Sequence, residues 1–240
     1  MPKTLFFDLD GTLLPMDTDH FVEHYTREMI PYIKDLADPK QFLKVLWEST
    51  KEMIKNTDST LTNEQVFTEF FIRHLGIPKE VIWPLFDRFY DETFPKLKQY
   101  TNPLDISREI VEIAKEQERK IVISTNPVFP KVAIYERLRW LGLENFPFEL
   151  VTIYEESHFC KPQLQYYQEM LDRLQITSDQ AVMIGNDMQE DMVASQIGME
   201  TFLVTDYLID RGKPVYPVQH RGTLFELKEQ LERKEGVFRL

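Results

Sequence analysis

The chain has 240 residues, of which 42% are hydrophobic and 28% charged, a composition typical of a folded globular protein rather than a disordered one. Its 28 Lys and Arg against 40 Asp and Glu residues give a formal net charge of −12. Because affinity for a phosphate backbone comes from clustered cations, we expect no nucleic-acid partner and no anionic membrane partner. A small phosphorylated substrate is compatible with this charge, since one cation or metal ion can outweigh it locally.

Cysteine content and the N-terminal sequence bear on the cellular compartment. The single cysteine, Cys160, excludes a disulfide within the chain and a zinc site built on several cysteines. Asp8 and Asp10 lie where a secretory signal needs an unbroken apolar run. No apolar stretch approaches the roughly 20 residues that cross a bilayer. We therefore predict a soluble, cytoplasmic protein.

Short apolar runs alternate with helical patterns along most of the chain. The first run, residues 4–9, ends at Gly11 and is typical of a buried strand followed by a turn. Similar runs follow at residues 120–125, 149–153, 181–184 and 201–204. Helical patterns occupy residues 104–118, 130–141, 162–174, 188–197 and 224–231. Strands that alternate with helices pair in parallel, so the sequence predicts an α/β fold with a doubly wound parallel sheet.

Residues 16–99 interrupt this alternation. They contain no strand-like run, and their apolar side chains repeat at helical spacing. Asp38 followed by Pro39 predicts a helix N-cap with proline at the first helical position. We therefore predict an all-helical domain at residues 16–99, inserted into a core domain formed by residues 1–15 and 100–240.

The motif Asp8-Leu9-Asp10-Gly11-Thr12 follows the first predicted strand. Strand alternation points Asp8 and Asp10 to the same side, and Gly11 lets the backbone turn tightly. Two carboxylates this close repel each other, so a divalent cation with oxygen ligands is the natural partner. With magnesium present, one carboxylate can attack phosphorus while the other transfers the proton. The alternative interpretation is a pair of turn aspartates that cap a helix.

This motif and its setting resemble the haloacid dehalogenase-like hydrolase superfamily, in particular phosphoglycolate phosphatase-like members with a helical cap domain after the first strand. The resemblance implies a Rossmann-like core and spans almost the whole chain, because further family motifs follow in order. It implies that a Ser or Thr in Ser124-Thr125-Asn126 hydrogen-bonds the phosphoryl group, and we assign Thr125. It also implies that Lys161 pairs with the nucleophile and the phosphate oxygens.

The last family motif supplies an acidic metal ligand and corresponds here to residues 185–191. This sequence departs from the commonest form, because Asn186 stands where an aspartate usually follows the glycine. We assign magnesium to Asp187, since a carboxylate binds this ion better than an amide, and keep Asn186 as the alternative. Asp191 is expected to orient the loop or a metal-bound water.

The resemblance implies a magnesium-dependent phosphatase that hydrolyses a small phosphorylated metabolite through an aspartyl-phosphate. Asp8 would be the nucleophile and Asp10 the general acid and base. Magnesium would be held by Asp8, the Asp10 carbonyl and Asp187. The expected phosphate-binding residues are Asp8, Leu9, Asp10, Thr125, Asn126 and Lys161.

Three alternatives compete with this function. Dehalogenation is disfavoured, because carbon–halogen cleavage needs no proton donor to the leaving group and the family's dehalogenases lack the aspartate found here as Asp10. A phosphosugar mutase shares the Asp-x-Asp pair and stays open. A non-catalytic binding protein would use the acidic helical insert to recruit a partner. The substrate is not encoded in any recognisable motif, and specificity is expected to come from residues 16–99.

Overall fold

The computed structural model describes residues 2–239 and is centred on a six-stranded sheet. The strands are β1 (Thr4–Phe7), β2 (Ile121–Ile123), β3 (Leu150–Val151), β4 (Ala181–Gly185), β5 (Glu200–Val204) and β6 (His220–Gly222). Every neighbouring pair is parallel, and the strand order is β3-β2-β1-β4-β5-β6. This confirms the predicted doubly wound parallel α/β fold, with β1 and β4 side by side at its centre, where the direction of winding reverses.

Helices connect these strands and fill the long segment between β1 and β2. The α-helices are α1 (Thr18–Ile33), α2 (Pro39–Lys55), α3 (Asn63–Leu75), α4 (Lys79–Glu92), α5 (Asp105–Glu116), α6 (Lys131–Trp140), α7 (Leu164–Leu174) and α8 (Leu224–Arg233). Shorter 3₁₀ helices lie at Phe94–Tyr100, Ser178–Gln180, Met192–Ile197 and Gly236–Phe238. Across residues 2–239, none of the helices combines the length and the apolar character that a bilayer span needs.

Residues 16–99, called the helical insert below, contain only helices and the turns between them. The N-cap predicted at Asp38 is confirmed: its side chain accepts a hydrogen bond of 2.9 Å from the Gln41 N–H, and Pro39 is the first helical residue. Such a cap satisfies a backbone donor that the first helical turn leaves free.

Two local predictions were wrong. The strand β6 was missed because its sequence, His-Arg-Gly, has no apolar run; it forms by pairing with β5 at the sheet edge. The helix predicted over residues 188–197 is a turn followed by the 3₁₀ helix Met192–Ile197. The Asp187 side chain accepts the N–H groups of Gln189 and Glu190 at 2.9 Å, which holds this segment in a turn rather than an α-helix.

The helical insert packs on the sheet domain through buried aromatic rings. The Phe94 ring stacks on Trp140 of α6 with their centroids 5.6 Å apart, and Phe21 of α1 meets the same indole edge-on at 6.1 Å. All three side chains are buried and belong to one apolar cluster that includes residues of β1 and β4. This packing holds the insert next to the end of the sheet where β1 and β4 terminate.

Candidate active site

The predicted motifs meet at the carboxyl ends of β1, β2 and β4. The Asp8 N–H donates to the Ile184 carbonyl at 2.8 Å, and the Ser124 N–H donates to the Phe7 carbonyl at 2.7 Å. These bonds continue the parallel ladders by one residue, so the segments after the three strands begin side by side. Residues separated by more than 170 positions in sequence thus reach one edge of the sheet.

A buried lysine lies between two aspartates at this edge. Lys161 is 1% exposed, and its Nζ lies 2.8 Å from Asp8 Oδ1 and 2.6 Å from Asp191 Oδ1. Burial by itself would lower the pKa of Lys161, but Asp191 and Asp8 outweigh it and raise the pKa well above its usual value. Burial raises the pKa of Asp191 to about 8, although Lys161 opposes this shift. The cluster therefore fixes a permanent cation beside the Asp8 carboxylate.

Asp191 also shapes the turn that follows β4. Its Oδ2 accepts the Asp187 N–H at 2.9 Å. Gly185 leaves room for this carboxylate, because a Cβ at that position would lie 2.1 Å from Asp191 Oδ2. Asp191 thus joins the turn to Lys161.

The second carboxylate oxygen of Asp8 faces the Thr12 hydroxyl, which also contacts Asn186. The Thr12 hydroxyl lies 3.3 Å from Asp8 Oδ2 and 3.0 Å from Asn186 Oδ1. The Asn186 Nδ2 donates to the Tyr207 carbonyl at 2.6 Å, which turns the amide oxygen toward Thr12. Gly11 has a φ of +79°, and a Cβ there would lie 2.4 Å from Asn186 Nδ2. Only glycine fits this close approach of the two turns.

The residues expected to bind phosphate oxygens line the same edge. Thr125 is buried after β2, and its carbonyl accepts hydrogen bonds from Thr152 and Tyr166. The Asn126 Oδ1 accepts the Lys161 N–H at 3.2 Å, so its amide is used inside the protein. Among the hydrogen bonds found in residues 2–239, none uses the N–H of Leu9 or Asp10 as donor. Those two backbone groups can therefore receive an anion.

Sequence analysis missed the partner of Asp10. Arg137 of α6 is fully buried, and its Nη1 donates to Asp10 Oδ2. Its guanidinium also lies 4.5 Å from the centre of the Phe129 ring. Burial raises the pKa of the Asp10 carboxyl above its ordinary value, although Arg137 opposes this shift. The sequence did contain a sign that Arg137 has a buried partner. Arg137 lies in the apolar stripe of α6 between Ile134 and Leu138, where an unpaired charge is costly.

Asp187 is bound by a second arginine that sequence analysis missed. Arg211, from the loop between β5 and β6, places Nη1 2.8 Å and 2.7 Å from the two carboxylate oxygens of Asp187. Burial would lower the pKa of Arg211, but the hydrogen bond and charge of Asp187 raise it. No pattern in the loop sequence distinguishes Arg211 from a surface residue.

The oxygen atoms that the sequence assigns to the metal are of the chemical type that a hard cation binds. They are the carboxylates of Asp8 and Asp187, the Asn186 amide oxygen and the Asp10 carbonyl, and Mg²⁺ prefers such oxygen ligands. Within residues 2–239, no three His, Cys, Asp or Glu side chains are grouped as a metal site requires. An ion held by Asp187 would also have to compete with Arg211 for its carboxylate. The two assignments, Asp187 and Asn186, therefore both stay predictions.

A cavity of about 800 Å³ opens over these groups, between the sheet edge and the helical insert. The sheet domain contributes Asp8, Asp10, Thr125, Lys161 and Asp187 to its wall, and the insert contributes side chains from α1 to α4. A cleft with a few polar groups at one end and apolar walls elsewhere is the usual form of a small-molecule site.

Known proteins resemble this chain along most of its length. Residues 5–204 match the family described as haloacid dehalogenase-like hydrolase. The glyceraldehyde 3-phosphate phosphatase of Methanothermobacter thermautotrophicus is 27% identical over 216 residues, which cover 88% of each chain. The ribulose-1,5-bisphosphate 5-phosphatase of Halopiger xanaduensis is 25% identical over 209 residues, which cover 85% of this chain and 84% of the relative.

Solved structures show the same architecture. A HAD-hydrolase from Bacillus subtilis, determined bound to magnesium, superposes with a TM-score of 0.56 at 20% identity and covers 95% of this chain and 98% of its own. A likeness at this identity shows the fold alone. Since the family match extends over residues 5–204, the chain belongs to the haloacid dehalogenase-like hydrolases and is an enzyme of that class.

Proposed function

We propose that this protein is a magnesium-dependent phosphatase that hydrolyses a small phosphate monoester through an aspartyl-phosphate on Asp8. The observation that carries the proposal is the ion pair of Asp8 with the buried Lys161, 2.8 Å apart at the wall of the cavity. A cation fixed there pairs with the carboxylate and can hold the oxygens of a transferring phosphoryl group. The curated relatives are named as phosphatases of phosphorylated compounds, which supports the same activity.

In the proposed reaction, Asp8 attacks phosphorus in line and forms an acyl phosphate. Asp10 protonates the departing alkoxide and then deprotonates the water that hydrolyses the intermediate. Burial raises the pKa of Asp10 above its ordinary value, which is the direction that favours a proton carrier. Its Oδ1 is buried and has no hydrogen-bond partner in residues 2–239. Thr125, Lys161 and the N–H groups of Leu9 and Asp10 would hold the phosphoryl oxygens.

Magnesium would be held by Asp8, the Asp10 carbonyl and either Asp187 or Asn186. When bound, it would offset the negative charge of the carboxylates and the phosphoryl group. The chemistry of the oxygen donors supports this choice of ion. Asp191 would keep the turn after β4 in place through its hydrogen bond to the Asp187 N–H.

The helical insert would act as a cap that covers the phosphoryl group and selects the leaving group. Its side chains face Asp8 across the cavity. Excluding water at this point strengthens the electrostatic contacts of the site. The boundaries of this cap, residues 16–99, and the cytoplasmic location of the enzyme are predictions from the sequence.

The test is the Asp8→Asn variant, assayed for phosphate release from an aryl phosphate with magnesium. We expect its rate to fall below about one thousandth of the wild-type rate, as when other enzymes lose their nucleophile. The Asp91→Asn variant is a matched control, since Asp91 is exposed on α4 and does not line the cavity. Circular dichroism must show that both variants are folded. Activity retained in Asp8→Asn would refute the nucleophile assignment.

Product analysis separates this proposal from the mutase alternative. A phosphatase releases inorganic phosphate, whereas a mutase returns an isomerised sugar phosphate. The family match disfavours the non-catalytic alternative. Failure to release phosphate from a broad set of monoesters, with metal still bound, would revive it.

A further inference from the structure

The cavity over Asp8 is large, and the insert lines it mainly with apolar and aromatic groups. Its volume of about 800 Å³ lies toward the upper end of the range of about 300–1,000 Å³ that is usual for sites of drug-sized ligands. A triose phosphate would leave most of this space unfilled. The aromatic side chains that the insert contributes are Tyr25, Trp47, Phe67, Trp83, Phe86 and Tyr90. Such walls bind flat, apolar surfaces.

The charges that the insert places around this cavity are negative. Glu64 of α3 and Asp87 of α4 line it, and within residues 2–239 no Lys or Arg of the insert does. Lys79 does not line the cavity; its Nζ lies 3.5 Å from Glu64 Oε1 and 4.9 Å from the centre of the Trp83 ring. Burial raises the pKa of the Tyr154 hydroxyl on the same wall, and Glu64, Glu155 and Asp87 raise it further. The carboxylates of this wall therefore disfavour an anion placed beside them.

Among the described residues, the Lys and Arg side chains that line the cavity all belong to the sheet domain, and each of them contacts another side chain of the protein. Lys161 is held between two carboxylates, and Arg211 binds Asp187. Lys131 lies at the start of α6 with its Nζ 5.5 Å from the centre of the Tyr135 ring. Glu155 accepts the backbone N–H of Lys131 at 2.8 Å and adds a further negative charge beside it. A second phosphate or a carboxylate on the substrate would therefore meet no cavity-lining Lys or Arg from the insert, as far as the described residues show.

We infer that the substrate carries a single phosphate, and that its leaving group is neutral or cationic and presents a flat apolar face at least as large as one ring. This inference rests on the proposed function and narrows it. Two sources offer such a face, an aromatic ring and the C–H face of a sugar ring. Bisphosphates and carboxylated phosphates are excluded as preferred substrates, because their second anion would face Glu64 and Asp87.

The charge test compares three esters of the same shape: benzyl phosphate, 4-carboxybenzyl phosphate and 4-(aminomethyl)benzyl phosphate. We expect kcat/KM for the carboxylate to be at least roughly tenfold below that for benzyl phosphate, and the value for the ammonium compound to equal or exceed it. Asp87→Asn should shrink the discrimination against the carboxylate. Asp91→Asn, on the same helix but outside the cavity wall, should leave it unchanged.

A second measurement tests the flat face. Trp47 lines the cavity and is 37% exposed, so Trp47→Ala should fold normally. We expect it to raise KM for ring-containing substrates without changing kcat, because an indole on the insert wall would contact the leaving group rather than the phosphorus. Benzyl phosphate and glucose 6-phosphate, compared in the wild type, distinguish the aromatic source from the sugar source.

The outcomes separate the two proposals. This inference would be overturned by a preference for 4-carboxybenzyl phosphate over benzyl phosphate, or for fructose 1,6-bisphosphate over fructose 6-phosphate. Either result would leave the proposed phosphatase activity intact. No phosphate release from any of these compounds would overturn the proposed function, and this inference with it.

Discussion

Arg137→Met is expected to destabilise the protein, because it removes the cation that compensates a buried carboxylate. The guanidinium is fully buried, and within the described chain it forms the only ion pair of Asp10. Methionine has a similar length and fits an apolar stripe, so the substitution removes charge without opening a large cavity. What it leaves behind is the Asp10 carboxylate, with a side chain only 18% exposed.

The size of the effect follows from this burial. Breaking a buried ion pair by removing one partner costs about 3–5 kcal/mol, and partial exposure of Asp10 to the cavity favours the lower end. For a chain of this length, such a loss lowers the melting temperature by about 6–20 °C. Arg139→Met on the same helix is the matched control. Arg139 pairs with Glu136 at 2.6 Å but is 63% exposed, so its loss should cost no more than about 1 kcal/mol.

The assay is urea denaturation of both variants, with the double variant Arg137→Met and Asp10→Asn as a further test. The double variant should regain part of the lost stability, because it also removes the uncompensated charge. Phosphate release by Arg137→Met should fall as well, since Asp10 loses the group that orients it. Equal denaturation midpoints for Arg137→Met and Arg139→Met would refute the reasoning.

Three further predictions concern the same site. Lys161→Met should lower the free energy of unfolding by about 3–5 kcal/mol, measured by urea denaturation, and abolish phosphate release, because the buried Asp8 carboxylate loses its cation; wild-type stability would contradict this. Gly11→Ala should lower the free energy of unfolding by about 1–3 kcal/mol, because φ is +79° at this position and the added Cβ would clash with Asn186. Thermal denaturation measures this loss, and an unchanged melting temperature would contradict the close approach of Gly11 and Asn186. Asp191 has a folded pKa of about 8 against an ordinary 3.8, so the folded state binds its proton more tightly. The stability that this proton contributes is complete below about pH 4 and is lost as pH rises through about 8. Asp191→Asn should therefore flatten the decline of the unfolding free energy between these pH values. If the unfolding free energies of wild type and variant fall in parallel with pH, Asp191 does not cause the decline.

The position of the candidate catalytic groups could be predicted from short stretches of sequence. An apolar run followed by Asp8-Leu9-Asp10-Gly11 predicts a strand, two carboxylates on one side and a turn, because each step depends on neighbouring residues. The order of strands and helices predicts a parallel sheet, and parallel strands bring their carboxyl ends to one edge. The local pattern failed at residues 188–191. It predicted a helix there, but the Asp187 side chain accepts backbone hydrogen bonds that hold a turn.

By itself, the sequence therefore determined the doubly wound sheet, the helical insert and the edge at which the motifs meet. Only the tertiary structure decided which charges face each other. Arg137 reaches Asp10 from 127 positions away, and Arg211 reaches Asp187 from a loop with no motif. The acidic and aromatic wall of the cavity likewise depends on how separate helices pack over the sheet. Hydrophobic periodicity and turn chemistry act over a few residues, whereas a charge pair or a cavity wall depends on distances that exist only once the whole chain has folded.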